Sequence, residues 1–193
     1  MTPLRGRDLD PDPVREFGRW HAAAGTDEMA VATVRPDGTP SCRMVLLKGY
    51  AEGRFVFFTD QQSDKAVDIL LNPSVSLLFR WPPVRQVRVT GTAAPVPRAE
   101  TERYWRTRPR QSQLSAWASR QSRRLRNRAE LERRVSEARD LFEGRDVPCP
   151  QRWGGFAVLA RSFEFWQQGP DRLHDRFRYD RTVTGWERHR MSP

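Results

Sequence analysis

The sequence predicts an α+β fold, mainly antiparallel, with a sheet or barrel that carries helices on its outside. Three observations lead there. The first and last parts of the chain hold short runs with the period-2 alternation of strands. The middle switches to helical spacing. The resulting order, strands then helices then strands, argues against alternating strand–helix units and a parallel sheet. A chain of 193 residues suits one domain with an extension. The expected division is a short, loose arm over 1–12 and a single domain over 13–193.

The elements follow in order. "DPVREFGRWHAAAG" (12–25) reads as a helix entered through Pro13 and ended near Gly25. "MAVATVR", "PDGT" and "PSCRMVLLKGY" read as strand, turn and strand, with Pro36-Asp37-Gly38 turning the chain. "GRFVFFTD" is a further strand. "SDKAVDILLNP" is a short helix with Ser63 as N-cap and Pro73 beyond its end. "SVSLLFRW" and "VRQVRVTGTAAPV" are two more strands. "RAETERYWRTR", "RQSQLSAWAS" and "SRRLRNRAELERRVSEARDLFEG" read as three helices, the third burying Leu131, Val135, Ala138 and Phe142 as one stripe. "GGFAVLARSFEFWQQ" and "HDRFRYDRTVTGWERHRM" supply three or four closing strands.

Composition narrows the chemistry. No apolar run reaches the ~18 residues of a membrane span. The opening "MTPLRGRDLDPDPVREF" has no signal-peptide centre, so a cytoplasmic location is the expectation. Cys42 and Cys149 are too few for a disulfide framework and read as packing residues. Three dispersed histidines and two cysteines make no metal constellation. Formal net charge is +10, which admits nucleic acid, anionic surfaces or small anions as partners. Of the 34 basic residues only Lys48 and Lys65 are lysines. Lysine is a compact charge on a flexible stem, and arginine does not replace it everywhere.

Four stretches could carry chemistry. In "SCRMVLLK", Arg43 and Lys48 stand near the ends of an apolar strand, to hold an anion or simply to reach solvent. In "FFTDQQSDK", Lys65 sits in the first turn of a helix, where a cation opposes the dipole and a phosphate would relieve it. An ordinary capped helix fits equally well. "RYWRTRPRQSQLSAWASRQS" mixes aromatics with Arg103, Arg106, Arg108 and Arg110, suited to a ring with a phosphate or to a solvated basic helix. The arginine-rich run that follows carries Glu130 and Glu132, and its Glu130–Arg134 spacing is that of a surface helix rather than a nucleic-acid site. Last, "DRLHDRFRYDR", read as a strand, places Arg172, His174, Arg176 and Arg178 on one face, next to Trp166. A planar anionic ligand would give such a row a reason.

At these stretches the sequence resembles the pyridoxine (pyridoxamine) 5′-phosphate oxidase family. "RMVLLKGY", "FFT", "SDK", "RQVRVTG", "RPRQSQLSAWASRQS", "WGGF", "EFWQ" and "RLHDRF" match that family's blocks in order, from about residue 8 to the C-terminus. The resemblance implies an FMN-binding split β-barrel with peripheral helices, a homodimer with FMN at the interface. It implies oxidation of pyridoxine or pyridoxamine 5′-phosphate to pyridoxal 5′-phosphate, with O2 reduced to hydrogen peroxide. By matching position, Arg43, Lys65, Gln121 and Ser122, with Ser63 nearby, would hold the FMN phosphate and ribityl chain. Met44, Val45, Leu46, Lys48, Phe58, Thr59 and Gln86 would line or bond the flavin. Trp166 and Arg176 would complete that site from the second subunit. Lys48, Tyr104, Arg108 and Ser112 would bind the substrate phosphate. Arg172 and His174 would lie over the substrate ring as the catalytic pair.

Three departures stand out. Asp64 occupies a position where the family commonly has a second basic residue; the arm before "LRGRDLDPDP" is short; Ser115 replaces a usual glycine. They keep open a related flavin oxidase of a secondary-metabolite pathway, of the phenazine type. A non-catalytic flavin or B6-phosphate carrier and a charge-driven nucleic-acid binder are further alternatives.

Overall fold

A computed structural model describes residues 2–82 and 84–193. Among the described residues nine strands form one antiparallel sheet: β1 (Glu28–Val34), β2 (Pro40–Leu46), β3 (Gly49–Ala51), β4 (Arg54–Asp60), β5 (Ser74–Trp81), β6 (Arg85–Pro95), β7 (Trp153–Gln167), β8 (Asp175–Arg181) and β9 (Trp186–Met191). Their order is β2-β1-β5-β6-β7-β4-β3, and β8 pairs with β7 and with β9. Five α-helices among the described residues lie outside the sheet: α1 (Pro13–Ala24), α2 (Asp64–Leu71), α3 (Arg98–Thr107), α4 (Arg110–Ala118) and α5 (Arg128–Leu141). No helix among the described residues is long and apolar enough to cross a membrane.

The strand β7 explains the curl. Its first half pairs with β4, its second half with β8, and β6 runs beside both. The β6–β7 register shifts between Thr90 and Gly91. A Cβ at Gly91 would lie 2.2 Å from the Leu159 carbonyl oxygen, so the two backbones can approach there only through glycine.

Directly paired residues share a face. On the inner face Val31, Leu77, Val89, Phe163 and Tyr179 make one fully buried row. Phe17 of α1 closes this core, edge-on to Phe55 and Phe79 at 4.9 and 4.8 Å. That helix starts where Asp12 accepts from the Val14 N–H and ends at left-handed Gly25, as Pro13 and Gly25 predict. A smaller core under α3–α5 gathers Trp105, Leu114, Ala138, Phe142 and Trp153.

Four local expectations are corrected. The arm is not loose: Leu4 and Leu9 are buried, the Leu4 N–H donates to Asp175 at 2.8 Å, and Arg190 donates to the Leu4 carbonyl at 2.9 Å. The third helix starts at 128 rather than 122, because Asn127 caps it by accepting from the Glu130 N–H at 2.9 Å. Of its predicted stripe, Ala138 and Phe142 are buried, while Leu131 and Val135 are half-buried. Cys42 is exposed on the edge strand β2, not packed.

Candidate active site

A cleft of about 900 Å³ opens where β2, β4, the first turn of α2, α4 and the segment after α4 converge. Lys65 lies at its base. The helix start buries it to 6% exposure, and its Nζ donates to Thr59 Oγ1 (3.1 Å), Ser63 Oγ (3.2 Å) and Gln121 Oε1 (2.9 Å). All three partners are neutral. Burial, with Arg43 adding to it, pushes Lys65 down to about 8, against the pull of Asp60 and Asp64. Arg43 reaches in from β2, its Nη1 donating to Thr33 Oγ1 (2.7 Å) and its Nη2 to Ser41 Oγ (2.6 Å). Behind it the buried Asp68 accepts from Thr33 Oγ1 at 2.7 Å and lies 3.8 Å from the guanidinium. Two cations thus face one volume, and hydrogen bonds fix both.

The other end of the cleft is aromatic. Tyr104 stacks on Phe58 at 4.3 Å, and Phe58 on Trp153 at 5.3 Å. Arg108 lies over Trp153 at 4.6 Å and over Trp105 at 5.1 Å. Burial lowers the Arg108 pKa and raises that of Tyr104. The Arg108 Nη1 is buried with no hydrogen-bond partner among the described residues. A buried donor left unpaired costs about 1–3 kcal/mol, and an anion in the cleft would remove that cost. Lys48 and Ser112 line the same volume.

The cleft brings together most of the residues named from sequence: Arg43, Met44, Val45, Leu46, Lys48, Phe58, Thr59, Lys65, Tyr104, Arg108, Ser112, Gln121 and Ser122. Ser63 lies beneath it, bonded to Lys65. Gln86, Trp166, Arg172, His174 and Arg176 are absent from its lining; they lie on β6, β7, the turn before β8 and β8. Gln86 pairs with Trp166 and Trp166 with Arg176, on the face that also carries Met44 and Leu78. The strands β2 and β7 are four steps apart, about 19 Å along the sheet.

The cationic row of 172–178 is not one strand. Strand pairing begins at Asp175, and Asp171 and Arg172 take left-handed φ of 50° and 63°. Arg176 and Arg178 share a strand face as predicted, whereas Arg172 and His174 belong to the turn before it. That turn sets His174 against Trp166, ring centroids 4.7 Å apart, and the Gly169 N–H donates to His174 Nδ1 at 3.3 Å.

Sequence reasoning missed the acids behind the cations. Glu164 is buried and accepts from Arg88 (2.6 Å) and from Arg176 (3.0 and 3.2 Å). Asp68 serves Arg43 in the same way. It also missed Trp153, at the end of the aromatic stack, and Arg152, which pairs with Asp60 at 3.1 Å and bonds the carbonyls of Ala116, Trp117 and Ser119. A carboxylate on the core side of a helix is the signal that could have exposed Asp68; Glu164 stands on the face of β7 opposite Phe163 and Phe165, between Arg88 and Arg178, and strand alternation gives it no such signal.

A curled antiparallel sheet with outer helices and an anion-suited cleft at its edge defines a split-barrel protein. Comparison with known proteins agrees. Residues 24–142 match the family model described as pyridoxamine 5′-phosphate oxidase, and residues 153–193 match the pyridoxine 5′-phosphate oxidase C-terminal dimerisation region. A pyridoxine/pyridoxamine 5′-phosphate oxidase of Rubrobacter xylanophilus is 50% identical over 191 residues, covering 95% of this chain and 88% of the relative. A like-named protein of Nocardioides sp. is 49% identical over 193 residues, covering 96% and 90%. Among solved structures, PhzG from Burkholderia lata 383, in complex with tetrahydrophenazine-1-carboxylic acid, superposes with a TM-score of 0.92 at 27% identity, covering 100% and 99% of the two chains. An FMN-binding protein of Nostoc punctiforme, TM-score 0.72 at 16% identity, shares the fold over 100% of this chain and 98% of its own. The chain belongs to the pyridoxamine 5′-phosphate oxidase family and is an enzyme of that family.

Proposed function

We propose that the enzyme is an FMN-dependent oxidase that converts pyridoxine 5′-phosphate or pyridoxamine 5′-phosphate to pyridoxal 5′-phosphate. The observation that carries this reading is the pair of cationic seats in one cleft: the Lys65–Arg43 seat at one end and the unpartnered Arg108 beside Lys48 at the other. Two phosphorylated molecules meeting side by side need that arrangement.

Lys65, Arg43, Thr59, Ser63, Gln121 and Ser122 would hold the FMN phosphate and ribityl chain. Met44, Val45, Leu46, Lys48 and Phe58 would line the flavin; Met44 and Leu46 are 61% and 49% exposed, an apolar surface such a ring would cover. Lys48, Tyr104, Arg108 and Ser112 would hold the substrate phosphate. When bound, FMN would supply the two-electron redox chemistry, with O2 as the acceptor and hydrogen peroxide as the product. The chain's part is orientation: two anchored phosphates fix the two rings against each other. His174 Nδ1 accepts the Gly169 N–H, which fixes the ring and leaves the Nε2 edge to position the substrate, whose hydroxyl or amine proton would leave to water as the hydride departs. Arg172 would stand beside it.

Gln86, Trp166, Arg172, His174 and Arg176 would enter from a second copy of the chain, making a homodimer with FMN at the interface. The position of Gln86, Trp166 and Arg176 three to five strands from β2 on the same sheet face supports this, as does the match to a dimerisation region.

The test is anaerobic mixing of FMN-loaded protein with each B6 phosphate while flavin absorbance is followed. Bleaching within seconds to minutes is expected. A second reading, an oxidase of the phenazine type, is favoured by the likeness to PhzG at a TM-score of 0.92. Flavin that stays oxidised with both B6 phosphates but bleaches with a reduced phenazine carboxylic acid would replace the first reading by the second.

A further inference from the structure

The cleft contains two carboxylates, Asp60 and Asp64. Asp60 is neutralised by Arg152 at 3.1 Å and also accepts from the Gln62 N–H at 2.7 Å. Asp64 is exposed, and no cation pairs with it among the described residues. Its backbone N–H donates to Ser122 Oγ at 3.2 Å, which ties the start of α2 to the segment after α4 across the Lys65 seat. A negative side chain therefore stands at the mouth of the seat that is otherwise built for an anion.

We propose that Asp64 sets the strength of phosphate recognition in this cleft, acting as an electrostatic counterweight that holds the affinity for FMN down. The inference rests on the reading of the Lys65–Arg43 seat as the FMN phosphate site. Two effects of Asp64 compete. It favours the charged form of Lys65, which helps an anion, and it repels the anion directly. A bound phosphate keeps Lys65 charged by itself, so the first effect is redundant once ligand is present. Direct repulsion is what remains. Binding energy then comes in larger share from the ring and ribityl contacts than from the phosphate.

The test is titration of the flavin-free protein with FMN and with riboflavin, read by flavin fluorescence, for wild type, Asp64→Asn and Asp64→Glu. Asp64→Asn should tighten FMN binding by about three- to tenfold at low ionic strength, the size of one unscreened charge near a surface. The gain should shrink at high salt. Riboflavin, which lacks the phosphate, should bind the two proteins alike, and Asp64→Glu should stay within about twofold of wild type. Unchanged or weaker FMN binding in Asp64→Asn overturns the inference, as does an equal gain for riboflavin or the same gain in Asp64→Glu. A third arm measures thermal stabilisation by inorganic phosphate, which reads the seat without flavin. If no variant binds flavin but phosphate stabilises Asp64→Asn more than wild type, the cofactor reading fails and the role of Asp64 stands. Equal stabilisation by phosphate removes the role as well.

Discussion

Replacing Lys65 by methionine should stabilise the flavin-free protein near neutral pH, and the gain should fade as pH rises. Lys65 is buried among neutral partners, and its pKa is pushed from 10.5 to about 8. The folded state therefore binds fewer protons than the unfolded state between those values. Where the unfolded chain holds more protons, stability rises with pH. At pH 7 both states are protonated, and the full penalty of the buried charge, about 3 kcal/mol at ~1.4 kcal/mol per pKa unit, opposes folding. At pH 10 the folded lysine is neutral and about 1 kcal/mol of the penalty is left. Methionine has a similar length and no charge. The stability difference between Lys65→Met and wild type should thus fall by about 2 kcal/mol from pH 7 to pH 10. Urea unfolding of both proteins at the two pH values measures it, and the difference between them cancels groups that titrate alike in both. A difference independent of pH, or a variant less stable at pH 7, would refute a Lys65 held at a cost for the sake of an anion. Flavin affinity should move the opposite way, with Lys65→Met losing FMN that wild type retains through dialysis.

Arg108→Ala should raise KM for the phosphorylated substrate by about 10- to 100-fold, the loss of a buried charge-assisted contact, and leave unphosphorylated pyridoxine unaffected. Equal losses for both substrates in steady-state assays would show that Arg108 only supports Trp105 and Trp153. Asp175→Ala should destabilise the protein by about 1–3 kcal/mol, discounted because Arg190 is half exposed, since Asp175 holds both the Leu4 N–H and Arg190 at 2.8 Å. Urea unfolding checks the magnitude. Limited proteolysis should cut the variant within its first twelve residues sooner than wild type, and identical cleavage would mean that Leu4 and Leu9 hold the arm without the acid.

Those predictions turn on contacts that the sequence showed unevenly. Pro13 and Gly25 bracket a helix because their backbone preferences are local, and the alternation through "SVSLLFRW" is local in the same way. The Lys65 seat could be suspected because a cation in a first helical turn is locally unfavourable. The arm was misread for the opposite reason. Its polar, proline-rich composition hides two leucines whose partners lie more than 160 residues away, Asp175 and Arg190 for Leu4 and Arg188 for Leu9. The row at 172–178 was misread because two non-glycine residues take left-handed backbone, which no alternation pattern registers.

The arginines pose the same problem in a sharper form. Arg98 binds the carbonyls of Cys149, Pro150 and Trp153, Arg110 those of Phe142 and Arg145, and Arg152 three more at the end of α4. These guanidiniums replace missing backbone donors where helices and loops end. Arg43, Arg108 and Arg176 carry the same group and differ in what stands behind them: Asp68, a pair of tryptophans, and Glu164. Arg43 and Arg176 also donate to carbonyls, of Val31 and Ser41 and of Ser192. Of those named here Arg108 alone has a buried donor with no partner among the described residues. In a chain whose basic residues are almost all arginine, charge therefore says little about the site. The distinction lies in which donors remain unspent, and by that measure Arg108 stands apart from the ion-paired arginines of α5.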